Sequence, residues 1–61
     1  MTVVELLGAL KEDQNYRITT NDKRPEGISV KTAAEHNAKV LEIRAVKENL
    51  IEIRSNFKWY I

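Results

Sequence analysis

Sixty-one residues with no cysteine leave room for one domain and exclude disulfides, thiolate metal sites and thiol redox chemistry. A chain this short buries only roughly 60% of the surface its unfolded form exposes, so self-association is the expected source of further stability. Ten Lys and Arg against nine Asp and Glu give a net charge of +1, too little to attract nucleic acid by charge alone.

The N-terminal residues Met1-Thr2-Val3-Val4-Glu5 lack the basic start of a secretory signal. No apolar run approaches the roughly 20 residues that cross a bilayer. Together with the missing Cys these features predict a cytoplasmic protein with no membrane partner.

Thr2-Val3-Val4-Glu5 has the spacing of a capping box, in which the Thr2 hydroxyl and the Glu5 carboxylate each accept from the other residue's amide. Val3, Leu6, Leu7 and Leu10 then repeat at helical spacing. A helix over about residues 3–12 follows, ended by Asp13-Gln14-Asn15. Gly8 weakens it by roughly 1 kcal/mol relative to Ala, and its small size predicts close packing against a sheet.

At Tyr16 the period falls to two, and Tyr16, Ile18 and Thr20 alternate with Arg17 and Thr19 as a half-buried strand over 16–20. Arg24-Pro25-Glu26-Gly27 suits a type I turn. Ile28 and Val30 then read as a second short strand over 28–31. Thr32-Ala33-Ala34-Glu35 repeats the capping-box pattern and predicts a helical turn over about 32–37.

The segment from Val40 to Arg54 reads as a β-hairpin whose register is written in its side chains. With Lys47-Glu48-Asn49 as the loop, Val46 faces Leu50, Ala45 faces Ile51, Arg44 faces Glu52, Ile43 faces Ile53 and Glu42 faces Arg54. Charge and hydrophobicity select that register independently, because a slip of one residue would set Ile against Arg. Asn49 suits the left-handed position that closes the loop. Alternation continues past the hairpin through Ser55, Phe57, Trp59 and Ile61, so the second arm is predicted as a strand over 50–60. At about 3.3 Å per residue that strand overhangs its partner.

The expected architecture is therefore a single α+β domain over 1–61, an N-terminal helix packed on a small, mainly antiparallel sheet with a C-terminal hairpin. Val3, Leu6, Leu7, Leu10, Ile18, Ile28, Val30, Leu41, Ile43, Ile51 and Ile53 are the expected core.

No catalytic constellation emerges. His36 has Glu35, Ser29 and Thr32 nearby in sequence, but it reads as an exposed residue at a helix end, and Glu42, Glu52 and Glu48 read as hairpin charges, the first two with cationic partners at Arg54 and Arg44. Gly8 and Gly27 are isolated, so no Gly-rich phosphate loop is present. No enzyme activity, cofactor or metal is expected.

Phe57, Trp59, Tyr60 and Ile61 crowd three of the four aromatic residues into the last five positions. Aromatic side chains are enriched in interface hot spots, and an overhanging strand can pair with another chain. These four residues are the expected protein interface, and pairing about a twofold axis makes a homodimer or higher homo-oligomer the expected form. The alternative is a small nucleic-acid-binding module in which Lys23, Arg24, Lys31, Lys39 and Lys58 contact phosphates while the aromatics stack on bases.

The opening Met1-Thr2-Val3-Val4-Glu5-Leu6-Leu7-Gly8-Ala9-Leu10-Lys11, followed by a strand beginning Tyr16-Arg17-Ile18, resembles small phage and prophage-type proteins of unassigned function. The resemblance covers about the first 18 residues and carries over no functional residue. It implies an accessory or inhibitor protein that binds a host protein or its own copies. Non-enzymatic protein association through the C-terminal strand is the function expected from the sequence.

Overall fold

The computed structural model describes residues 1–22 and 26–59. Elements follow in the order α1 (Val3–Ala9), β1 (Asn15–Thr19), α2 (Val30–Glu35), β2 (Val40–Lys47) and β3 (Leu50–Ser55). The fold is α+β, with two short helices on one face of a three-stranded sheet and a C-terminal hairpin formed by β2 and β3.

Helix α1 starts where its capping box requires. The Glu5 amide donates to Thr2 Oγ1 at 3.1 Å and the Thr2 amide donates to Glu5 Oε1 at 2.8 Å. The helix is shorter than its apolar spacing suggests, because Leu10 is already extended (φ −80°, ψ 154°) and its amide turns back to the Leu7 carbonyl.

The strand expected over 28–31 is instead a single bridge followed by a helix. Ile28 donates to the Ile18 carbonyl at 2.9 Å and forms an isolated antiparallel bridge with it. Ser29 then caps α2, its hydroxyl accepting from the Thr32 amide at 3.1 Å, so the helical turn begins before Thr32. Ser is at least as good an N-cap as Thr, and starting there lets Ala33 face the core. Past α2 the Asn37 amide donates to Ala34 and the Ala38 amide to Ala33, with Asn37 left-handed at φ 50°. That pair of bonds is a Schellman termination, and the apolar contact that accompanies it falls on the buried residues Ala33 and Ala38.

The hairpin keeps the register that charge and hydrophobicity select: Glu42 faces Arg54, Ile43 faces Ile53, Arg44 faces Glu52 and Ala45 faces Ile51. The register shifts at the two ends, around Leu41 and around Val46, so that Leu50 faces Lys47 rather than Val46. Asn49, at φ 57°, supplies the left-handed residue at the turn.

The sheet order is β1-β3-β2. β3 therefore has a neighbour along both edges. Its pairing with β1 is parallel, with Tyr16 opposite Ile51, Arg17 opposite Glu52, Ile18 opposite Ile53 and Thr19 opposite Arg54. The sheet is mixed rather than mainly antiparallel, because the connection through α2 brings β3 back alongside β1 in the same direction. Residues now line up in rows across all three strands. Ile18, Ile53 and Ile43 form an apolar row on the helix side, and Arg17, Glu52 and Arg44 a charged row on the other.

Val3, Leu6, Ile18, Ala33, Ala38 and Ile53 form the buried core, with Leu7, Leu10, Ile28, Val40, Ile51 and Phe57 packed against it. Three residues expected in the core lie outside it. Val30 is exposed because it opens a helix, while Leu41 and Ile43 are exposed on β2. The reason is one of reach. A helix of 7 residues is about 10 Å long, whereas the 8 residues of β2 extend about 26 Å.

The strand expected over 50–60 stops at Ser55. The Ser55 hydroxyl turns inward, donating to the Thr19 carbonyl at 2.8 Å and accepting from the Phe57 amide at 3.3 Å. Asn21 donates to the Phe57 carbonyl at 2.8 Å, and the Trp59 amide donates to Asp22 Oδ2 at 2.8 Å. Residues 55–59 thus run on beside residues 19–22 past the end of β1.

Candidate protein interface

Helices α1 and α2 shield the middle of the sheet and leave β2 uncovered on the helix side. Ile43 is 49% exposed although its row-mates Ile53 and Ile18 are buried, and at the two register shifts of β2 Leu41 is 48% and Val46 39% exposed. Ala45, next to half-buried Ile51 in the neighbouring row, is exposed as well.

The backbone of β2 adds a second feature. One edge pairs with β3, and the other is bounded only at its beginning, where Thr2 bridges Lys39 and the Val40 amide donates to the Met1 carbonyl at 2.9 Å. Along 41–47 no further strand of the described residues pairs with that edge. An open strand edge beside exposed apolar side chains is the arrangement that β-strand addition uses.

The opposite face of the sheet is a ladder of mixed charge. Glu52 on the central strand has an arginine opposite on each side and engages Arg17, at 2.8 Å to Nη2 and 3.2 Å to Nε. Glu42 lies 3.5 Å from Arg54 Nε and 3.9 Å from Arg44 Nη2. Arg54 Nη1 also donates to Asn21 Oδ1 at 3.0 Å. Arg44 therefore faces Glu52 across the ladder yet leans toward Glu42 on its own strand.

The expected interface residues fall in different places. Phe57 is half-buried against the core, edge-to-face with His36 at 5.0 Å and with Trp59 at 5.1 Å between ring centroids. Trp59 is 45% exposed. Tyr60 and Ile61 lie outside the described residues.

Of the residues expected to contact nucleic acid, Lys23 and Arg24 lie outside the described residues, as does Pro25 of the expected turn. Lys31 is exposed on α2, Lys39 just before β2 and Lys58 in the segment after β3, so these three cations stand on separate elements.

An open cleft of about 350 Å³ runs along the outer edge of β1, lined by Tyr16, Ile18, Ile28 and Val30 with Arg17 at its side. It brings together apolar walls and one cation. Among the described residues no three His, Cys, Asp or Glu side chains are grouped to hold a metal ion, and no helix is long and apolar enough to cross a membrane.

The exposed row on β2 was hidden in the sequence because alternation tells which residues share a face but not how far the covering layer extends. The usable signal was helix length, since two short apolar stripes cannot blanket three strands. No family model, curated protein or solved structure matches this chain.

Proposed function

We propose that the protein is a non-enzymatic accessory or regulatory protein that works by protein–protein association, its own copies included, with the uncovered side of β2 as the contact. The observation that carries this reading is Ile43, half exposed on a strand with one open edge while its neighbours in the same row are buried. β3, where the sequence suggested the contact, has both edges filled, which passes the free edge to β2. Exposed apolar side chains clustered on one strand mark interaction surfaces more often than isolated ones do.

Light-scattering mass across a range of concentrations tests the reading. The unaltered chain is expected above monomer mass, and Ile43→Lys or Leu41→Lys is expected to return it to monomer with its circular dichroism unchanged. Monomer mass for the unaltered chain at every concentration would defeat the reading.

A further inference from the structure

We infer that the occupant of the β2 edge is the β2 strand of a second copy, paired antiparallel about a twofold axis at Ile43. The inference rests on the association reading above and names its partner and register. Two antiparallel strands of one sheet are related by an axis perpendicular to it, so each residue faces one of the same side-chain direction. Within the regular stretch 42–45 of β2 only a few centres are possible.

Charge separates them. An axis at Glu42 sets that carboxylate against its own copy, and an axis at Arg44 sets guanidinium against guanidinium. An axis at Ala45 runs the pairing into the register shift around Val46 and sets neither Glu42 nor Arg44 opposite the other. Centring on Ile43 places Glu42 of each chain opposite Arg44 of the other, twice by symmetry, while Ile43 meets Ile43. Opposite charges directly across a ladder stabilise it and like charges destabilise it.

The faces agree with this arrangement. Glu42 and Arg44 lie with the ladder of Arg17, Glu52 and Arg54, so the new pairs continue a charged surface across the axis. Ile43, Leu41 and Ala45 are exposed in the single chain, and the paired strand covers apolar groups that α1 and α2 do not reach. Met1, bonded to Val40, bounds the open edge at one end and limits how far the strands can slide. The assembled sheet has the order β1-β3-β2-β2′-β3′-β1′, with a prime marking the second copy.

Charge exchange tests this register. Glu42→Arg alone sets Arg against Arg44 of the partner, Arg44→Glu alone sets Glu against Glu42, and each is expected to weaken dimerisation about tenfold. The double variant Glu42→Arg/Arg44→Glu restores opposite charges across the axis and is expected to recover the dimer, even though within each chain residue 42 then faces Arg54 and residue 44 faces Glu52 with like charge, costs that the single variants already carry one each. Sedimentation equilibrium reads the dissociation constants, and circular dichroism verifies folding.

Because the chain has no cysteine, Ile43→Cys gives an independent check. It is expected to be joined efficiently by a short bifunctional thiol reagent, and Ala45→Cys poorly. A dimer indifferent to the single exchanges, or a double variant as weak as the singles, overturns the register while leaving association intact. A chain that is monomeric throughout overturns both.

Discussion

Gly8 and Gly27 are chemically identical and structurally opposite. A Cβ built on Gly8 meets nothing within 4 Å, so the close helix–sheet approach that its size suggested does not exist there. Gly8→Ala is expected to raise stability by about 1 kcal/mol through helix propensity alone, measured by urea denaturation. A Cβ on Gly27 would be driven into the Ile18 carbonyl oxygen, the acceptor of the Ile28 amide. Gly27→Ala must therefore open the bridge between Ile18 and Ile28, and a loss of about 1–3 kcal/mol is expected. Equal effects of the two substitutions would contradict this placement of β1 against residues 27–28. The one buried side-chain oxygen without a partner among the described residues, Thr19 Oγ1, adds no chemistry to the interface, lying on β1 at the far side of the sheet from β2.

At the scale of elements, termini carry more of the folding information than interiors do. The α1 capping box ties a titration to helix formation. Hydrogen bonds from the Thr2 amide and then from the Thr2 hydroxyl hold the Glu5 carboxyl below its ordinary value of 4.5, with the N-terminal amine acting in the same direction. A depressed folded-state value means that this contribution is present above pH 4.5 and is lost as pH falls through the lower folded value. Melting temperature should accordingly decline below pH 4.5 more steeply for the unaltered chain than for Glu5→Gln, which keeps a side-chain acceptor without a charge. Parallel curves would show that the carboxylate is not engaged in solution.

The same element scale shows what was legible in the sequence. Thr2 and Glu5 announced α1, and the alternation of Glu42, Ile43 and Arg44 against Glu52, Ile53 and Arg54 announced the hairpin, because in both cases the determining contacts are local. Ser29 was missed as the start of α2, since Ile28 and Val30 alternate like a strand. The decision there came from Ala33 and Ala38, whose burial depends on residues far away in the chain. The parallel pairing of β1 with β3 was likewise beyond local pattern.

For the molecule as a whole, the question is which apolar residues hold one chain together and which are left for another, and Phe57 and Ile43 answer it from opposite sides. Both are partly exposed large side chains in the C-terminal half, and sequence spacing assigned Phe57 to the interface and Ile43 to the core. The structure packs Phe57 on the core, fixes its carbonyl to the Asn21 amide and sets its ring edge-to-face with His36, while Ile43 stands outside the helical layer. Truncating a half-buried aromatic removes both transfer energy and packing, so Phe57→Ala should lower unfolding free energy by about 2 kcal/mol. At temperatures where it remains folded, its association should match that of the unaltered chain, because β2 lies on the other side of β3 from the Asn21 end of β1. Ile43→Lys should do the reverse, keeping the single-chain fold and abolishing the dimer. The two measurements, melting temperature at low concentration and mass at high concentration, therefore cross. If Phe57→Ala instead lost the dimer while Ile43→Lys kept it, the contact would lie at the end of the chain and the β2 edge would be merely solvated.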